Sequence, residues 1–182
     1  IKFKIDPKEL SLFLETHNPK IMYRNLLVPV TSIKAYVDFL SLLRSDPIIK
    51  KISISSEELD IIQISKLSSI IKPSTFKSLL NNKIKEGKLI AEIEIFLNRD
   101  GLIEDFIAKG TVKKLKVELL NNINLKETNL SFFADKSDIL IKNIFGLLED
   151  IKISEGDMRL NLENGIKLNS NFNSKINLSE QV

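Results

Sequence analysis

Few residues of this sequence have both the type and the spacing for chemistry. His17 is the single histidine and precedes Asn18-Pro19 in a turn-forming stretch, and the chain has no cysteine. One imidazole without a second soft or borderline ligand makes a poor transition-metal site, so a solvated turn side chain is the expectation. Glu57, Glu58 and Asp60 lie beside Ser55-Ser56. Such a cluster could hold a cation, but the simpler role is to cap or solvate the start of a helical stretch. Glu92 and Glu94 are two apart on one side of a strand pattern. A general acid and base need environments that split their pKa values, and nothing nearby supplies a buried one. Lys113, Lys114 and Lys116 form the densest basic run. They could meet lipid phosphates or simply solvate a strand face. No aromatic residues interleave with them, so a single-stranded nucleic acid partner is unsupported.

Two further patterns have a bland explanation. Asn129-Leu130-Ser131 and Asn177-Leu178-Ser179 match the N-glycosylation acceptor, which chance supplies readily in a chain with 16 Asn. There is no glycine-rich phosphate loop and no G-x-S-x-G elbow. The expectation is a protein that is not an enzyme, with no catalytic residue, cofactor or metal.

Composition narrows the class. The 182 residues are 43% hydrophobic and 28% charged, with 6 Gly and 5 Pro. Absence of cysteine excludes a disulfide scaffold and thiol catalysis, and low Gly and Pro exclude collagen-like or Pro/Gly-rich disorder. A net charge of +3, from 27 basic and 24 acidic residues, is too balanced to suggest a nucleic-acid partner. No apolar run reaches the roughly 18–20 residues of a membrane-spanning helix. Ile1 is not an initiator methionine and no secretory segment follows it, so a fragment of a longer chain is expected.

The elements that must position these residues have a period of two, the mark of strands. Ile1, Phe3 and Ile5 alternate with Lys2 and Lys4; Leu10, Leu12 and Leu14 follow Asp6-Pro7. A four-residue loop at 6–9 would set Ile5 opposite Leu10 and Phe3 opposite Leu12, all on one face. After a second turn at 16–19, strand-forming residues run through 21–28 and then 33–39. Leu40–Arg44 fits one helical turn, and another strand passes Ile52 and Ile54. Ile61, Ile64, Leu67 and Ile71 shift to a spacing of three and four. Pro73 interrupts that run, so 57–83 reads as two short helices. Leu89 to Leu97 and Phe106 to Val112 flank Asn98-Arg99-Asp100-Gly101, a strong hairpin signal. Beyond Val112 the apolar positions jump by three to Leu115, which predicts a bulge at Lys113-Lys114. Shorter strands continue to Met158, Leu160 and Leu162. A three-residue loop at 163–165 then sets Leu160 opposite Leu168 and Leu162 opposite Ile166.

The fold class is therefore mainly β: an antiparallel meander of about a dozen strands with two or three short helices. Such strands have an apolar face that must be covered. The helical stretch is too short to cover it. Either a second sheet closes a β-sandwich, giving a binding or scaffold domain without lipid, or something other than protein lies there.

The order of Ala35-Tyr36-Val37-Asp38-Phe39, Leu42-Leu43, Asp46-Pro47, Ile49–Ile54 and Leu59-Asp60-Ile61, followed by a helical insertion and Gly87–Leu97, resembles the AsmA-like proteins, particularly their large envelope members. Ile107-Ala108-Lys109-Gly110-Thr111-Val112 is similar to their strands. The similarity covers most of residues 1–120. It implies a single groove segment over 1–182, with a helical insertion at 57–85, in a curved, taco-like β-groove. It also implies a location in the periplasm of a Gram-negative bacterium, with an inner-membrane anchor outside this sequence. The partners it implies are phospholipid acyl chains, and inner and outer membranes reached through other parts of the parent chain, with no nucleic acid. Ile93, Ile95, Leu97, Phe106, Ala108, Val112, Leu160 and Leu162 would line the trough.

Overall fold

Residues that alternate in polarity satisfy their backbone groups by pairing laterally, and strands are what this sequence forms. A computed structural model describes residues 2–6, 11–23, 26–60, 83–118, 123–163 and 167–175. Thirteen strands and one helix are assigned among them: β1 (Lys2–Asp6), β2 (Ser11–His17), β3 (Ile21–Tyr23), β4 (Leu26–Val28), β5 (Val30–Val37), α1 (Phe39–Leu43), β6 (Ile49–Ser56), β7 (Leu59–Asp60), β8 (Ile84–Leu97), β9 (Ile103–Glu118), β10 (Asn124–Ala134), β11 (Asp138–Leu148), β12 (Ile151–Asn161) and β13 (Lys167–Lys175). Eleven strands share one sheet in the order β1-β2-β5-β6-β8-β9-β10-β11-β12-β13, with β7 paired to β8. β3 and β4 make a separate two-stranded sheet. Among the described residues the large sheet runs from β1 to β13 without closing into a ring, and no second large sheet accompanies it.

The chain divides into two compact units. The first comprises residues 1–58, 90–109 and 134–136; the second comprises 59–89, 110–133 and 137–182.

In the first unit β1 and β2 pair as expected, but with Ile5 opposite Leu12 and Phe3 opposite Leu14. The expected partners, Leu10 and Leu12, were two residues nearer the turn. A shift of two preserves side-chain parity, so the apolar row stays on one face although its pairing changes. The stretch 21–28 is a hairpin rather than one strand, with Ile21 opposite Val28 and Met22 opposite Leu27. α1 is the expected single turn. The Asp38 carboxylate accepts from the Ser41 N–H at 2.7 Å, an N-cap that orients the turn. The Ser41 hydroxyl accepts from the Ile48 N–H at 2.9 Å and ties the turn to the next strand.

Most of the expected helical stretch lies outside the described residues. At its margins, Leu59–Asp60 is strand, pairing Leu59 with Leu89 and Asp60 with Lys88, and β8 already begins at Ile84. The insertion therefore does not extend as helix over the whole of 57–85. Leu59 is buried, which explains why the chain pairs here instead of starting a solvated helix.

In the second unit the core gathers around Val112 and Leu115, packed by Ile84, Leu89, Val117, Leu130 and Phe132. Two buried positions three apart on one strand require an extra residue between them. Lys114 supplies it with φ +51°, and its N–H donates to the Asn129 side chain at 3.1 Å. Glu127 in β10 and Asn143 in β11 also have positive φ, and the Asn143 N–H donates to Asp157 at 3.2 Å. β12 and β13 pair with Leu160 opposite Leu168, as expected, and their register shifts between Ile153 and Glu155. The expected Leu162–Ile166 pair lies outside the described residues at Ile166.

Two glycines in this unit are required by close approach. A Cβ on Gly146 would sit 2.2 Å from the Thr128 hydroxyl and 3.1 Å from the Lys126 carbonyl, and Thr128 is fully buried. A Cβ on Gly156 would meet the ring of Phe172 at 2.4 Å and the Cβ of buried Ile144 at 3.2 Å, and Phe172 lies on β13 and is 44% exposed. Gly146→Ala is therefore expected to cost about 2 kcal/mol or more, because neither neighbour can move. Gly156→Ala should cost less than Gly146→Ala, because the ring can swing outward and Ile144 need give only slightly. Urea unfolding midpoints of the two variants check this order, and equal losses would contradict it.

Candidate functional site

Registers across the first unit sort its side chains onto two faces. Directly opposed residues of antiparallel strands project together. Lys4, Phe13, Tyr36, Lys51 and Phe96 thus form one row across five strands. Lys2, Glu15, Lys34, Ser53 and Glu94 form the next, on the same face. On the other face stand Phe3, Leu14, Ala35, Ile52 and Ile95, then Thr16, Ile33, Ile54 and Ile93.

The two faces are unevenly buried. On the charged face Glu15, Lys51 and Phe13 are only 5%, 7% and 8% exposed. On the apolar face Phe3 and Ile5 of β1 are each 71% exposed and Ile93 37%, while Leu14, Ile33, Ile52, Ile54 and Ile95 are half-buried and Val37, in the row of Ile5 and Leu12, is buried. Side chains of the charged face pack on one another. The Phe13 and Tyr36 rings pack with centroids 5.2 Å apart, Lys34 Nζ lies 5.5 Å from the Phe13 centroid, and Lys51 Nζ lies 4.2 Å from that of Tyr36. Lysine stems cover the rings while their ammonium groups meet carboxylates.

Glu15 is the hub of this face. Lys4 pairs with it directly, His17 Nε2 lies 3.2 Å from Oε2 and Lys34 Nζ 4.0 Å from Oε1. The hydrogen bond from Lys4, and then the charges of His17, Lys4 and Lys34, hold its carboxyl below the ordinary value of 4.5 against an opposing burial effect. His17 is thus a half-exposed member of an ion cluster, where sequence alone suggested a solvated turn residue. Glu92 pairs with Lys109 at 3.1 Å, and Glu94 lies 3.9 Å from Lys51. Both carboxylates are occupied in ion pairs, which gives them a structural role.

The residues expected to line a trough fall as follows. Ile93 and Ile95 stand on the apolar face of the first unit, and Leu97 shares their parity in β8 and is half-buried. Phe106 and Ala108 are half-buried positions of β9 in the same unit. In the second unit Val112 is buried in the core cluster, Leu160 is half-buried between Ile139 and Leu168, and Leu162 is exposed beyond β12. Sequence reasoning omitted Phe3, Leu14, Ile33, Ile52 and Ile54 from the lining, though their alternation was visible; only the cross-strand register joins them to Ile93 and Ile95. A cleft in the first unit adds Leu40, Ile48, Phe96 and Leu97 beside Arg44 and Arg99, with Asp46 and Glu104 also at its wall.

Among the described residues no three His, Cys, Asp or Glu side chains are grouped as a metal site would need. No helix among them is long and apolar enough to cross a membrane.

No protein-family model and no solved structure matches the chain. Among curated proteins, the type II methyltransferase M.Sau96I of Staphylococcus aureus is 35% identical over 78 residues, which is 42% of this chain and 18% of that protein. The chain thus spans under a fifth of the length of this relative, and the likeness assigns no family.

The lowered pKa of Glu15 has a consequence for stability. A carboxyl whose folded pKa lies below its unfolded value stabilises the fold above the unfolded value and ceases to do so as pH falls through the folded one. Stability should therefore drop as pH is lowered from about 4.5. Glu15→Gln should flatten that slope while lowering stability at pH 7, as urea unfolding of both proteins across pH 3 to 7 would measure, each pH being about one unit apart. An unchanged slope in Glu15→Gln would contradict the assignment.

Proposed function

We propose that this chain is a segment of an AsmA-like envelope protein whose apolar sheet face carries phospholipid acyl chains. One observation supports the reading above the rest: the apolar rows from Phe3 to Ile95 and from Thr16 to Ile93 contain no fully buried residue, whereas Glu15, Phe13, Tyr36, Lys51 and Ser53 on the charged rows are buried. Apolar area left in water is unfavourable by roughly 25 cal/mol per Å², so a ligand with hydrocarbon chains gains by lying there. The cleft wall that mixes Leu40 and Phe96 with Arg44, Arg99, Asp46 and Glu104 suits the polar end of an amphiphile.

The mechanism requires no bond to be made or broken. Acyl chains exchange one apolar surface for another of similar quality, so movement along the face is close to isoenergetic and head groups stay wet. Direction and driving force come from the membranes and from other parts of the parent chain, in the periplasm between the inner and outer membranes. This reading gives the chain no catalytic residue. A second reading, a β segment of a methyltransferase, rests on the 78-residue likeness to the staphylococcal enzyme. Methyl transfer by the protein, with no bound lipid, would favour it.

Native mass spectrometry of the purified protein is expected to find co-purified phospholipid. Ile93→Glu should lose most of that lipid yet unfold within about 1 kcal/mol of the parent, because the position is accessible to water. If the parent carries no lipid and the variant unfolds, Ile93 belongs to an ordinary core and the reading fails.

A further inference from the structure

We propose that the bulged lysines of the second unit, Lys113, Lys114, Lys116 and Lys126, form a binding site for a phosphate group. The proposal is independent of the lipid reading, which concerns the apolar face of the first unit.

Successive residues of a regular strand point to opposite sides of the sheet, which would separate Lys113 from Lys114. The left-handed backbone at Lys114 (φ +51°) removes that separation, and both line one depression with Lys116 of the same strand. β10 contributes Lys126, Glu127 and Asn129 to the wall, and β8 contributes Glu86. Glu127 is itself left-handed (φ +49°), so two left-handed residues on neighbouring strands line this place. The Asn129 side chain accepts the Lys114 N–H at 3.1 Å and fixes the bulge. Glycine or asparagine would occupy a left-handed position with less strain. What lysine adds there is a charge.

The charges are unevenly matched. Lys116 lies 3.4 Å from Glu86, and Lys126 lies 3.5 Å from Glu149. The ammonium groups of Lys113 and Lys114 have no ion-pair partner among the described residues. Four lysines against Glu86, Glu127 and the neighbouring Glu149 leave one positive charge in excess, and no aromatic or aliphatic residue is part of the wall. Two to four mobile ammonium donors around a polar hollow suit a compact, strongly charged oxyanion such as phosphate. They do not suit a nucleobase or a hydrocarbon chain.

Alternation places Lys113 and Lys116 on the side of β9 away from buried Val112, Leu115 and Val117. A phosphate bound here therefore belongs to a free phosphate ester, or to the head groups of a bilayer lying against this side.

Titration of isotopically labelled protein with inorganic phosphate at low ionic strength, followed by amide NMR, tests the site. Saturable shifts confined to residues 113–116 and 126–129 are expected. Lys113→Gln combined with Lys114→Asn should weaken binding about tenfold or more, and asparagine preserves the left-handed backbone. Lys113→Gln alone leaves the bulge untouched and should lose part of the affinity. Co-sedimentation with phosphatidylglycerol or phosphatidylcholine vesicles separates the sources. Binding to the anionic vesicles that the double variant loses identifies a head group, and phosphate binding without vesicle binding identifies a soluble ester. The proposal is overturned if the parent binds neither phosphate nor anionic vesicles, or if folded variants bind both as the parent does.

Discussion

The arrangement of the first unit depends on Glu15, a carboxylate buried on the polar side of a sheet and surrounded by Lys4, His17 and Lys34. A buried charge is costly unless it is paired and hydrogen-bonded, so the lysines are drawn toward it from solvent. Held over the sheet, their stems cover Phe13 and Tyr36, and Lys51 closes the next position by lying on the Tyr36 ring and near Glu94. A single exposed ion pair contributes little. Here the groups share a hub and shield it from water.

The second unit handles its faces differently. Left-handed residues at Lys114, Glu127 and Asn143 occur on three neighbouring strands, and side chains of Asn129 and Asp157 accept the N–H groups of Lys114 and Asn143. The bulge at Lys114 bends its strand without leaving that N–H stranded. That local bending lets Val112 and Leu115 enter the same cluster. The tight contact of Gly146 with Thr128 follows from the same need, since the buried hydroxyl fits only where the facing residue has no side chain.

Much of this was legible because parity is a local property. Alternation at Phe3, Ile5, Leu12 and Leu14 assigned those residues to one face, and the jump from Val112 to Leu115 located a bulge. Register was not legible in the same way. The pairing of Ile5 with Leu12 instead of Leu10 depends on how many residues the turn consumes, and a shift of two leaves the pattern unchanged. The Glu15 cluster was hidden for a related reason, because Lys4, His17 and Lys34 come together only through pairing between strands distant in sequence. The strand at Leu59–Asp60 was missed because two residues carry no period, and only the partner Leu89 makes them a strand. Of the candidate lining, Ile93 and Ile95 followed from parity alone; Phe3, Ile33 and Ile52 needed the register.

The same opposition of faces bears on how such a surface would work. A flexible apolar sheet could collapse and bury its own Ile and Leu side chains, leaving nothing for a ligand. A charged face locked by Glu15, Lys51 and two stacked rings resists that collapse, because folding the sheet toward its apolar side would stretch the opposite rows and separate charges from their partners. Uncovering a desolvated carboxylate or ammonium costs more than burying a few methylene groups returns. The polar side would then act as a splint that keeps the apolar side open. Rows dominated by Ile, Leu and Ala, with Thr16 their one hydroxyl among the described residues, also offer few polar points at which a hydrocarbon chain would be held. The composition that first looked like an excess of aliphatic residues thus becomes a surface suited to weak, uniform and repeated contact.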